Sequence, residues 1–332
     1  MATLSNTTMT LLDWAKNQSP DGTISTVIEL LSQKNQILDD MLWMEGNLAT
    51  GHRTTQRTGL PTSYWRKINA GVPASTSTEV QVDEGTGMLE AYNEVDQALA
   101  NLGGNPNQVR FNKAKSHMEG MSQEMAATLF YGASTAPEEF VGLSPRYNDL
   151  SASNGENIID AGGTGSDNSS IWLIGWGDET VSGIFPKGSN AGLTHRDLGE
   201  VTIENANGVT GDRMEAYRDH FKWDAGIALS DWRYCVRIAN IDISVLVGDP
   251  AAATTDLIDL MVSAIHAVPD IGSARFSFYC NRTIGKMLDI QALNKANVYL
   301  QPGNEEGNFK TTVRGIPVGI VDALTEAEAQ VT

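Results

Sequence analysis

The stretch from Asn105 to Asn148 constrains the fold more than any other. Asn105 is a good helix N-cap, Pro106 suits the first helical position, and Gly132 stands just past the end. Between them Ala114, Met118, Met121, Met125 and Leu129 recur at spacings of four, three, four and four, which draws one apolar stripe. The spacing predicts a helix over 106–131, about 39 Å long at 1.5 Å per residue. That length suits a strut, although an ordinary buried helix is the plainer reading of periodicity alone. Gly120 inside it costs roughly 1 kcal/mol against Ala. The helix is expected to break into Pro137-Glu138-Glu139-Phe140-Val141-Gly142-Leu143-Ser144-Pro145-Arg146-Tyr147-Asn148.

A chain of 332 residues exceeds the size at which single cores stop growing, so two lobes or more are expected. Its 41 acidic and 23 basic residues give a net charge of −18, which repels phosphate and argues against tight or sequence-specific DNA binding. Enclosing nucleic acid without gripping it is compatible with that charge. Cys235 and Cys280 share no short motif and read as reduced thiols from a cytosolic place of synthesis. The N-terminus lacks the pattern of a signal peptide, and no apolar run is long enough to span a membrane. The sequons at Asn6, Asn168 and Asn281 therefore read as chance matches.

Taken in order, residues 1–22 read as a loose arm. Thr23 or Ser25 caps an amphipathic helix carrying Ile24, Val27, Ile28, Leu31, Ile37 and Leu38. From Thr50 to Lys67 the chain is basic, with His52, Arg53, Arg57, Arg66 and Lys67 against no acid, either a solvated loop or a contact for acidic neighbours. Tyr64-Trp65-Arg66-Lys67-Ile68 is expected as a strand paired with Glu79-Val80-Gln81-Val82-Asp83 across a tip at Gly71–Thr78. A lone hairpin is marginal and needs a partner surface. Over 88–102 helix and strand readings compete, with strand into short helix preferred.

Ser151–Ser170 reads as a disordered glycine-rich loop; its Ala161-Gly162-Gly163-Thr164-Gly165-Ser166 lacks the ending of a P-loop. Strands are expected at 171–176, 181–185, 200–203, 217–229 and 232–246, with a tight turn at Ser230-Asp231. An α/β rhythm follows: a helix from Thr254 or Thr255 to Val268, a strand at 274–281, a helix at 283–294, and a strand at 313–321 whose Pro317 suggests an edge or bulge. The acidic tail is expected to fray.

No catalytic, cofactor or metal site emerges. The five histidines show no pairing with one another or with cysteine that would bind zinc. Asp219-His220 and His195-Arg196-Asp197 are acid–base pairs in principle, but read more simply as surface ion pairs. Gly188-Ser189-Asn190-Ala191-Gly192 does not place its serine as a nucleophile elbow does.

Several blocks, in this order and spacing, resemble the major capsid proteins of short-tailed, podovirus-like tailed bacteriophages. They are 29–35 through Glu45-Gly46-Asn47, Arg57-Thr58-Gly59-Leu60-Pro61 with Trp65-Arg66-Lys67, 121–132, 140–147, and 171–177 with Phe185-Pro186-Lys187-Gly188. The resemblance implies the α+β fold shared by tailed-phage and herpesvirus shells. Its parts would be an N-terminal arm (1–50), an extended hairpin loop (51–88), a peripheral domain (89–250) with the spine helix at 106–131, an axial domain (251–324) and a tail (325–332).

Because the strand block precedes the helical block, circularly permuted connectivity is expected, provided that the strand 171–185 lies outside the axial lobe. The implied function is a structural protein that self-assembles into hexamers and pentamers of an icosahedral head around double-stranded DNA. It would be made in the host bacterial cytoplasm and end in the virion. Portal protein would be a partner, and a decoration protein a possible one; since no long scaffolding extension precedes the arm, the resemblance implies either a separate scaffold protein or assembly without one.

Trp65, Arg66, Lys67, Ile68, Val80 and Val82 would contact neighbours through the extended loop, Arg53 and Arg57 would match acidic neighbours, and Met118, Met121, Met125 and Leu129 would pack the spine. The competing functions are a phage-surface decoration protein and a soluble α+β hydrolase. The hydrolase needs a cleft joining Asp178, His195 and His220.

Overall fold

A computed structural model describes residues 32–102, 104–136, 138–204, 210–248, 256–294, 300–305 and 308–332. The expected arm, most of its helix, and the caps Thr254 and Thr255 lie outside the described residues, as does Pro137.

The described residues fall into two compact units, one holding Met88–Met125 and Gly192–Asp224, the other Lys34–Gly87, Ala126–Ala191 and Ala225–Thr332. This differs from a division at residue 250. The strands Asn168–Trp176 and Cys235–Asp242, before 250, belong with the helices after it because they share one core.

The first unit is built on the helix Pro106–Tyr131, of which it holds all but the last turn and a half. Its bounds are those that the sequence predicts, and the Asn105 side chain accepts from the Gln108 amide at 3.3 Å as an N-cap does. Gly120 sits inside without breaking the helix, facing open space. Gly132 ends it for a reason other than left-handed geometry: a Cβ there would stand 2.3 Å from the Phe140 carbonyl oxygen.

Against this helix lie the strand Gly87–Asp96 and the hairpin of Thr194–Glu204 with Arg213–Leu229, paired from Thr194↔Lys222 to Glu204↔Arg213. Met121 and Ala114 are buried with Phe221, while Met118 and Trp223 pack around them half-covered. The 88–102 segment is a strand running into a short helix, Gln97–Leu102.

The second unit centres on the strand Asn168–Trp176, buried along its whole length as a strand covered on both faces must be. Cys235–Asp242 and Arg275–Cys280 flank it antiparallel, and Ile316–Ile320 runs parallel beyond the latter. The helices Leu257–Ala267 and Arg282–Asn294 share its core: Ile171, Leu173, Val236 and Phe278 pack with Met261, Ile265, Ile284 and Leu288. The strand 171–176 thus lies in the same lobe as the helices.

Several local expectations are corrected. Ser151–Ser170 is ordered, because the buried Asn157 amide donates to the Arg233 and Cys235 carbonyls and Ile158–Asp160 pairs with Arg237–Ala239. The 232–246 strand ends at Asp242, where Ile243–Gly248 turns helical. Strand Arg213–Leu229 does not fold back on it across Ser230-Asp231, because Val181–Phe185 takes that pairing instead.

Asp256 caps the first late helix, its carboxylate accepting from the Ile258 and Asp259 amides. The 313–321 strand is two, turning at Arg314 and Gly315, both at positive φ. Pro317 is not on an edge strand; the parallel register with Arg275–Cys280 begins one residue later, at Val318. Asn168 and Asn281 are buried, which leaves neither open to glycosylation.

The tail does not fray. Leu324, Glu328 and Val331 are buried, and the Val331 amide donates to Asn240. Arg237 and Glu328 form an ion pair at 2.8 Å with side chains 2% and 5% exposed. Arg237 also donates to Ser170 and the Tyr147 carbonyl, and Tyr131, in the last turn of the long helix, donates to Glu328. Cys235 and Cys280 are buried free thiols pushed up to about 12 by desolvation, so neither is a reactive thiolate.

Candidate assembly surface

The extended hairpin is the most exposed element among the described residues. Its first strand is Gly51–Gly59, paired in register with Thr78–Gly85, so the expected strand at 64–68 is corrected. Alternation explains the error. Gly51–Gly59 carries threonine, arginine and glutamine, which read as a basic loop, whereas the apolar Trp65 and Ile68 belong to an irregular tip, 60–77.

In that tip Trp65 is fully exposed and Ile68, Leu60 and Tyr64 are 90%, 81% and 50% exposed. Arg66 and Lys67 are exposed beside them. Leu60 and Tyr64 are not among the contact residues expected from the sequence, though both belong to the same exposed tip.

Arg53 and Arg57 each face an acid of their own hairpin. Arg53 faces Asp83, with Nε at 2.5 Å from Oδ1, and Arg57 faces Glu79 at 3.4 Å. Arg53 holds the Asp83 carboxyl below the usual carboxylate range. These two arginines find their acids on the opposite strand, which the linear sequence hides.

Residues directly opposite share a face. Arg53, Thr55 and Arg57 with Glu79, Gln81 and Asp83 form one charged face; His52, Thr54 and Gln56 with Val80, Val82 and Glu84 form the other. Val80 is exposed and Val82 half-buried. On this second face Gln56 donates to the Leu229 and Ser230 carbonyls at 3.2 and 3.0 Å, and the buried Glu84 meets Arg146. Neither Arg146 nor Glu84 carried a signal in the sequence, because they are 62 residues apart.

Of the spine residues, Met121, Met125 and Leu129 are buried and Met118 half-buried. His195 and His220 each meet a carboxylate within the first unit. His195 lies 3.0 Å from Asp219, which Arg110 also engages at 2.6 Å, and His220 lies 3.1 Å from Glu90. Arg110 holds the Asp197 carboxyl low as well.

His195 pairs with Phe221 and Arg196 with His220, so the two histidines point to opposite faces of the hairpin and share no cleft. Asp178 belongs to the other unit. Among the described residues no cluster of His, Cys, Asp and Glu fits a metal, and no helix is long and apolar enough to cross a membrane.

His117, half-buried on the long helix, titrates below its ordinary 6.5 through desolvation and then Lys113. The unfolded chain therefore binds this proton more readily. Stability should be full above pH 6.5 and fall as pH drops toward the lower folded value. Replacing His117 with Gln is expected to flatten the change in urea midpoint between pH 7.5 and 5.5; an unchanged slope would place the titration elsewhere.

A family model described as "Major capsid protein GP7" matches residues 19–332. Among solved structures, the chain is similar to one from bacteriophage Epsilon15, with 34% identity, a TM-score of 0.78 and complete coverage of both chains. More distant likenesses are the bacteriophage JBD30 capsid, at 10% identity, TM-score 0.47 and coverage of 89% and 92%, and the capsid of a native GTA particle, at 9%, 0.47, 65% and 93%. No curated protein matches. The α+β architecture is thus the tailed-phage major capsid fold. The chain belongs to the GP7 family of major capsid proteins: it is a structural component of a phage capsid, present in the virion and associating with copies of itself in the capsid lattice.

Proposed function

We propose that the chain forms hexamers and pentamers of an icosahedral head enclosing double-stranded DNA, with the extended hairpin lying on a neighbouring copy. The observation that carries this reading is the bare tip: an unpartnered Trp65 beside Leu60, Tyr64 and Ile68 has no reason to be apolar unless another surface covers it. The unit with the long helix takes the peripheral position, and the unit with helices Leu257–Ala267 and Arg282–Asn294 the axial one.

Work is done by association, not by catalysis. The net charge of −18 favours DNA that is confined without being gripped. Synthesis in the host bacterial cytoplasm, a portal partner and a separate scaffold or decoration protein complete the reading.

Covering a Trp removes some 150–250 Å² from water, about 4–6 kcal/mol per contact at 25 cal/mol per Å². Trp65→Ser is therefore expected to lower the yield of shells at least about tenfold, measured by sedimentation, while the unassembled protein keeps its circular dichroism. Wild-type yields of normal shells would remove the tip from the interface.

A further inference from the structure

Among the described residues, one contact at the root of the hairpin is a bidentate ion pair. Glu84 is 7% exposed, and both its carboxylate oxygens receive the Arg146 guanidinium, Nη2 reaching Oε2 at 2.7 Å. The same guanidinium donates to the Val141 and Gly142 carbonyls at 2.9 and 3.2 Å.

That segment has no play. The Gly142 amide bonds to the Gly132 carbonyl and the Leu143 amide to the Leu129 carbonyl, each at 2.9 Å, and a Cβ on Gly142 would stand 2.7 Å from the Thr128 carbonyl oxygen. Glu84 is thereby fixed, through Arg146, to the end of the long helix. The remaining root contacts are weaker or local: the neutral Gln56 amide on two carbonyls, Thr86 on the Thr50 carbonyl, and Asn47 on the Arg53 backbone.

Eight paired residues at about 3.3 Å each make a lever of about 26 Å, so a tilt of about 10° at Glu84 moves the tip about 5 Å. A two-stranded ribbon has no sheet of its own to resist such a tilt.

We infer that Arg146 is the positioning residue of the hairpin, setting its pitch against the end of the long helix and hence the angle at which one copy meets the next. The inference rests on the reading of the hairpin as an intersubunit element. A bidentate guanidinium fixes direction as well as distance, which an ammonium does not. Arg146→Lys keeps the charge and loses the fork; Glu84→Gln keeps the shape and loses the ion pair.

Hydrogen exchange on the unassembled protein and imaging of assembled shells together test it. Both variants are expected to raise exchange in 51–59 and 78–85 about tenfold while amides of Cys235–Asp242 stay protected. Their shells are expected in more than one diameter where the wild type gives one. Unchanged hairpin exchange, or a rise shared by the core strand, would overturn the positioning role. A loosened hairpin with shells of one diameter would overturn the link to shell geometry. Normal assembly of Trp65→Ser would instead strike the underlying hairpin reading, and the exchange result is independent of that outcome.

Discussion

Glu328→Ala is expected to lower stability by about 3–5 kcal/mol, because it leaves Arg237 charged and buried with no counter-ion. Three groups lose their acceptor at once: the Arg237 guanidinium, the Tyr131 hydroxyl at 2.6 Å and the Ser170 hydroxyl. Arg237 stacks over the Trp172 ring at 5.2 Å and has no route to solvent.

The loss should appear as a lower thermal midpoint and as early proteolysis of residues 322–332, since Glu328 ties the tail to the buried Arg237. Arg237→Met combined with Glu328→Leu is expected to recover part of the loss, because removing both charges also removes the desolvation cost. A shift under about 1 kcal/mol for Glu328→Ala would show that water reaches the pair.

Met121→Asp is the second large effect. Met121 is 5% exposed and packed with Ala114 and Phe221 where the long helix meets the 213–224 strand. A carboxylate there would be taken out of water against Ala114 and Phe221, so a loss of about 4 kcal/mol or more and failure to form shells are expected. Thermal unfolding of the purified variant and a count of particles measure the two separately. Full stability with normal shells would mean that this face of the helix is not its packing face.

The long helix was legible because each of its signals is local: a cap, a proline, a stripe and a glycine within one segment. The all-buried strand was legible for the same reason, since Ile171-Trp172-Leu173-Ile174 is apolar without alternation. The hairpin register was not. Its strands alternate polar residues on both faces, and what fixes them is Arg53 against Asp83 and Glu84 against Arg146, contacts that exist only once the chain has folded.

The tail was misread as frayed for a related reason. An acidic terminus looks solvated until a buried arginine is found waiting for one of its carboxylates. The compact units do not divide at residue 250, where the rhythm turns to α/β, because one hydrophobic core continues across it. Trp65 and Ile68 were singled out only as a consequence of family resemblance; their exposure is a property of the fold.

Sedimentation of the purified chain over a wide range of concentration, with negative-stain imaging of its fastest fraction, tests the central claim most directly. The account predicts capsomer rings and closed polyhedral shells with five- and six-fold vertices and faces. A sharp monomer peak at every concentration, persisting when scaffold and portal proteins are supplied, would contradict it.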